Sequence, residues 1–265
     1  MAFKVNNSNE KFFNETKLYT GVSPMAVLAI CPTLSELNSI GFNFEKEPVY
    51  TSVDPISNVK KVRIDVVFGH AQLKTKAAFF LEDKDRINKN GDKYEITNDF
   101  GQSTWAGSVA EAVEKTSTKN GKKWFKPDGA RIAKVGEVAL VNFIRDWANT
   151  NPDDAGKIDN FTALFNGNYK ELQQYVNVLK DNRIYTLATV KDGKYQGLYA
   201  GYFVRAQFSM DAAKKKFAQY LQGQKDAGYD LKESYSYEFK EYTGGVIEPD
   251  AETNQEGNIN LDNQF

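Results

Sequence analysis

Lys61-Val62-Arg63-Ile64-Asp65-Val66-Val67-Phe68 and Leu73-Lys74-Thr75-Lys76-Ala77-Ala78-Phe79-Phe80-Leu81 are the stretches that decide the fold. Both alternate with the two-residue period of a β-strand. In the first, Val62, Ile64, Val66 and Phe68 share one face, and Lys61, Arg63, Asp65 and Val67 the other. In the second, Leu73, Thr75, Ala77, Phe79 and Leu81 oppose Lys74, Lys76, Ala78 and Phe80. Paired through a turn at Gly69-His70, the two strands lay one apolar face on a core. Their outward face then gathers Lys61, Arg63, Lys74, Lys76 and Phe80.

The sequence around this pair predicts an α+β chain. Upstream, Val27 to Cys31 is a short apolar run stopped by Pro32, and Thr33 with Glu36 forms a capping box for a short helix. Glu82 to Arg86 reads as a charged turn leading into a hairpin at Asn90-Gly91, and Asp192-Gly193 marks a second hairpin. Three helices follow from 3.6-residue periodicity. Leu140, Phe143, Ile144 and Trp147 fall at i, i+3, i+4, i+7, as do Leu172, Tyr175, Val176 and Leu179. A third, capped by Ser209 or Asp211, carries Ala213, Phe217 and Leu221 and stops near Gly228. Tyr235, Tyr237 and Phe239 alternate as a final strand. The polar, turn-rich stretch 149–160 is expected to be a lobe boundary or long connection. Residues 1–20 form an N-terminal arm, 21–243 the body, and 244–265 a tail expected to be disordered.

Of 265 residues, 41% are hydrophobic and 26% charged, an ordinary folded composition with room for one core or two. No apolar run approaches the roughly 18 residues of a membrane span, and the N-terminus lacks the apolar stretch of a signal peptide. The net charge is −1, but its distribution is uneven. The segment from Gly244 to Phe265 holds Glu248, Asp250, Glu252, Glu256 and Asp262 and no Lys or Arg, which leaves 34 basic against 30 acidic residues elsewhere, a net +4. A basic body with an acidic tail fits an anionic partner.

Three regions could meet such a partner. The most basic window, Lys115 to Lys134, holds Lys119, Lys122, Lys123, Lys126 and Arg131 around Trp124 and Phe125. Cations beside rings suit single-stranded nucleic acid, since lysine neutralises phosphate while a base stacks on the ring for roughly 1–3 kcal/mol. A solvated lysine loop with its rings in the core is the plainer alternative. The outward face of the strand pair is the second region, because an open basic sheet with a ring resembles the oligonucleotide face of OB-type barrels. The third is Tyr195 to Arg205, where Tyr199 and Arg205 are candidate contacts, although rings packed over glycine gaps explain the run more simply.

Catalytic readings find little support. His70 and Cys31 are the single residues of their types, so neither a four-ligand Cys/His zinc site nor an internal disulfide can be built. There is no phosphate-cradling Gly-x-x-x-x-Gly-Lys-Ser/Thr loop, and a triad would have to recruit His70 without any local signature. Carboxylates such as Asp65, Glu82, Asp83 and Asp85 could serve a metal-dependent nuclease but form no defined constellation. No cofactor is expected.

The run Tyr19-Thr20-Gly21-Val22-Ser23-Pro24 to Val27-Leu28-Ala29-Ile30-Cys31-Pro32-Thr33 is similar to the opening of single-stranded DNA-binding proteins of tailed phages, including phages of Bacteroides-type gut bacteria. Two further blocks carry the resemblance. They are Lys74 to Leu81 followed by Thr97 to Trp105, and Val135-Gly136-Glu137 leading into Phe143-Ile144-Arg145-Asp146-Trp147. It covers most of residues 19–150 and continues more weakly to about residue 242. The resemblance implies an OB-like antiparallel β-barrel or sheet core with several packed helices, coating single-stranded DNA during phage replication or recombination in the host cytoplasm without catalysis. Trp105, with Trp124, becomes a candidate stacking ring. A tail ending Asp262-Asn263-Gln264-Phe265 resembles the acidic, Phe-terminated tips that recruit replication proteins, with Phe265 in an apolar pocket and Asp262 on a basic rim. It departs from that pattern in carrying one Asp in its last four residues. The competing expectation is a virion or scaffold protein whose aromatic sheets, arm and tail make protein contacts.

Overall fold

The computed structural model describes residues 17–97, 103–108, 110–112, 134–148, 164, 166–199, 203–205, 208–229 and 233–244. Strand β1 (Tyr19–Ile30) is longer than its apolar run predicts. It ends where Cys31 takes a φ of 46°, and the capping box of Thr33 and Glu36 starts helix α1 (Leu34–Ile40) as expected. There follow β2 (Thr51–Val53), β3 (Lys60–His70), β4 (Leu73–Asp85), β5 (Ile87–Asn90), β6 (Lys93–Thr97), β7 (Ser103–Ala106), β8 (Lys134–Val135), α2 (Glu137–Ala148), α3 (Lys170–Val178), β9 (Arg183–Lys191), β10 (Tyr195–Leu198), β11 (Val204–Arg205), α4 (Met210–Asp226), β12 (Glu233–Ser234) and β13 (Lys240–Glu241).

The fold is mixed α+β, and every paired strand is antiparallel to its neighbour. The main sheet runs β10-β9-β1-β3-β4-β8, with β2, β11, β12 and β13 added at its margins. It curls, so that β10 comes alongside β4 without joining it in a ladder. Strand β1 makes the curl: residues 21–26 pair with β9, whereas 26–30 pair with β3, with a register shift within that ladder between Val27 and Ala29. Pro24 has no N–H to offer a second partner, and it lies in the stretch of β1 that β3 does not reach. Strands β5, β6 and β7 form a separate three-stranded sheet reached directly from β4.

Inside the curl lies an aromatic core. Phe68, Phe79, Phe143 and Trp147 are buried, with Phe79 and Phe143 centroids 5.1 Å apart and Phe143 stacked on Trp147 at 5.8 Å. The predicted stripe of α2 is the one that enters it, and burying side chains such as Leu140, Phe143 and Ile144 stabilises by roughly 1.5–3 kcal/mol each. Leu172 of α3 joins the same core as α2, so helices on both sides of the expected lobe boundary share one interior. The stretch 149–160 itself lies outside the described residues, as do residues 1–16 of the expected arm and 245–265 of the expected tail. Helix α4, capped by Ser209, lays Ala213, Phe217 and Leu221 on the outer side of β1 and β9 against Val22 and Leu187. Strand β9 is therefore covered on both faces. No helix among the described residues is long and apolar enough to cross a membrane.

Several expected boundaries move. The β3–β4 turn is Ala71-Gln72, not Gly69-His70, because pairing continues to His70↔Leu73 and Ala71 takes the left-handed φ of 49°. Glu82 to Arg86 is no turn. Strand β4 carries through to Asp85, and after the bend at Arg86 the chain re-enters a ladder at Ile87. Tyr235 to Phe239 is not one strand but a crossing segment between β12 and β13. It presses so closely on β1 that a methyl group at Gly21 would lie 2.3 Å from the Glu238 carbonyl oxygen.

His70 stands edge-on to Phe239, 4.9 Å between ring centroids. Burial first, and the positive charge of Arg183 second, push its pKa below the ordinary 6.5. A histidine with a depressed pKa favours the fold while neutral. Its contribution is fully present above pH 6.5, the unfolded value, and is lost as pH falls through the folded one. An NMR titration of this histidine should give a midpoint below 6.5, and a midpoint at or above that value would contradict the packing.

Candidate nucleic-acid interface

The strand register builds the outward face. Arg63 stands opposite Phe80, Lys61 opposite Glu82, Val67 opposite Lys76 and Gly69 opposite Lys74, so all five sequence-selected residues share one side of β3–β4. The face is not open along its length. Val67 is buried although it points outward, and the segment from α1 to Phe44 comes over this end. The Lys74 ammonium donates to the Ile40 carbonyl just before Gly41 ends α1, and the Lys76 ammonium sits 4.6 Å from the Phe44 ring centroid.

At the opposite end the face is exposed. Phe80 is half exposed, and its backbone is fixed by a close approach: a methyl at Gly136, where φ is 81°, would fall 1.9 Å from the Phe80 carbonyl oxygen. Only glycine fits there. Beyond it β4 outruns the core, and Lys84 reaches Glu95 of β6 at 3.4 Å. Glu95 is the direct cross-strand partner of Trp105, a residue 46% exposed. Phe80 thus stands on the main sheet and Trp105 on the separate β5–β7 sheet, and the Lys84–Glu95 pair ties the two together.

The charges on this face are compensated locally. Lys61 pairs with Asp54 at 3.1 Å and with Glu82 at 3.4 Å. Asp54 also accepts from the backbone N–H groups of Ile56 and Ser57, and these bonds, Ser57 first and then Lys61, hold its carboxyl well below the usual range. Arg63 and Lys76 both pair with Asp65. The Glu95 carboxyl is drawn below its ordinary value by the Ser103 hydroxyl and, beyond the opposing effect of burial, by Lys84. Sequence reading set four cations against the lone Asp65. Folding brings Asp54, Glu82 and Glu95 to the same face, and the separation of Asp54 and Glu95 from the strand pair in the chain hid them.

Tyr199 and Arg205 serve the fold. Tyr199 packs edge-on against Tyr220 of α4 at 5.7 Å, and Arg205 ties β11 to α2 through Asp146 at 3.0 Å. Lys119, Lys122, Lys123, Trp124, Lys126 and Arg131 lie outside the described residues, as do Asp262 and Phe265. Among the described residues no three His, Cys, Asp or Glu side chains gather as a metal site.

Because Arg205 and Asp146 are both largely buried, Arg205→Met should lower stability by about 1.5–3 kcal/mol in urea unfolding, the range for a hydrogen bond to a charged group. An unchanged midpoint would contradict a structural role. Comparison with protein-family models, curated proteins and solved structures finds no match, so the site is read from its geometry and chemistry.

Proposed function

We propose that this chain is a sequence-nonspecific single-stranded DNA-binding protein without catalytic activity, built on an OB-type barrel and acting in phage DNA replication or recombination in the host cytoplasm. The observation that carries the reading is the circuit of five strands. Strand β1 lies between β3 and β9, β4 lies beside β3, β10 beside β9, and β10 returns alongside β4. A five-stranded, partly open barrel of this kind binds oligonucleotides on the face of its second and third strands, helped by the loops after the first and fourth. In this circuit the second and third strands are β3 and β4. Their outward face carries Arg63, Lys61 and the half-exposed Phe80, and the Lys84–Glu95 pair links β4 to the sheet that carries Trp105.

Rings and cations in this order suit a strand whose bases are unstacked. Every base has a face to stack, so Phe80 and Trp105 would select single strands without selecting sequence. The acidic tail adds a second role. The resemblance to Phe-terminated single-strand binders supports recruitment of replication proteins through Asp262 and Phe265, with the weakly acidic tip counting against it.

Titration of the full chain with oligo-dT at low and high salt tests the reading. Tight binding at low salt, weakening as salt rises and quenching tryptophan fluorescence, is expected. Trp105→Ala should then weaken binding about fivefold or more, the equivalent of roughly 1 kcal/mol of lost stacking, while thermal stability stays unchanged. Absence of binding at low salt would overturn the proposal and favour a virion or scaffold protein.

A further inference from the structure

The hydrogen bonding of Arg63 narrows this face to one contact, an inference that rests on the reading above. Asp65, two residues along β3 on the same face, is 3% exposed. Its Oδ1 accepts from Arg63 Nε at 2.5 Å and its Oδ2 from Arg63 NH2 at 2.9 Å. A guanidinium carries five N–H groups in a planar fork. The carboxylate uses Nε–H and one N–H of NH2, which leaves the second N–H of NH2 and both of NH1 along the edge turned away from it. The Arg63 side chain is 40% exposed. Lys76, 3.7 Å from Asp65 Oδ2, adds a second cation to the same carboxylate, so this spot keeps a positive charge.

We propose that Asp65 is a positioning residue that holds Arg63 as a preformed clamp for a phosphodiester. Two non-bridging oxygens of a phosphodiester match the free edge of the fork in a bidentate pair. The arginine is ordered before the strand arrives, so little of its rotamer freedom is lost on binding. Directly across the ladder from Arg63 stands Phe80, which lies within reach of the base attached to that phosphate.

The clamp makes a prediction opposite to simple electrostatics. Asp65→Asn removes a negative charge from a face meant for a polyanion, which by charge alone should tighten binding. With a clamp it should weaken binding, because the amide no longer orients the fork. Affinity of the full chain for oligo-dT, measured by anisotropy over a salt series, decides between them. Asp65→Asn is expected to lose about fivefold or more at each salt concentration, a modest share of a bidentate charge-assisted pair. Arg63→Lys keeps Asp65 and the charge. It should lose a similar factor with an unchanged salt slope, since the slope counts charges and not geometry. Equal or tighter binding by a folded Asp65→Asn overturns the clamp. Should that variant fail to fold, undiminished binding by Arg63→Lys overturns it instead. If the unmodified chain does not bind oligo-dT at all, the functional reading falls and the clamp with it, an outcome distinct from either variant result.

Discussion

Strand β1 hydrogen-bonds β9 with its first half and β3 with its second, and the rest of the molecule depends on that division. A strand whose two halves serve different neighbours cannot lie in a flat sheet. The register shift between Val27 and Ala29 leaves Leu28 over Gly69, where a methyl group would lie 2.7 Å from the leucine Cδ1, and lets β3 leave at an angle to β9. From that bend the sheet curls, the α2 stripe finds an interior to fill, and β4 is carried round towards β10. Helix α4 then seals the outer side of the β1–β9 pair. The candidate face is the part of the exterior that neither α4 nor the α1 segment covers.

Its chemistry is a balance rather than a basic patch. The cations from Lys61 to Lys84 on this face each meet a local partner, and for all but Lys74 it is a carboxylate. The partly exposed pairs of Lys61 and Lys84 contribute little to stability, commonly under about 1 kcal/mol, so exchanging their carboxylates for a phosphate costs little. What the pairs do supply is order, and Asp65 is the clearest instance because it is buried while the arginine it holds is not. A nearly balanced face also avoids drawing every polyanion in the cell through charge alone. Selection for single strands would then rest on rings, through Phe80 and Trp105.

Much of this was legible in the sequence wherever one periodicity met one core. The alternation of Val62, Ile64, Val66 and Phe68, and the stripe Leu140, Phe143, Ile144 and Trp147, mark buried faces because each element has a single apolar side. Legibility failed where tertiary contact decided. Ala71 gives no signal for a positive φ, so sequence pattern alone points to a turn two residues early. Asp54 lies in a loop before β3 and Glu95 in a separate sheet, so their compensation of Lys61 and Lys84 has no local pattern. The covering of Lys74 and Lys76 by the α1 segment follows from the path of a loop that periodicity does not describe. For Tyr199 and Arg205 the simpler of the two sequence readings, packing, matches their contacts with α4 and α2.

On the proposed function, single-stranded DNA would run along the outward face of β3–β4 towards Trp105. Photo-crosslinking of a 4-thiothymidine oligonucleotide to the full chain, with the attached residues located by mass spectrometry, tests it most directly. The account predicts attachment within peptides spanning Lys61 to Glu82 and Ser103 to Ala106. Attachment confined to α4, or to the β1–β9 side of the molecule, would contradict it.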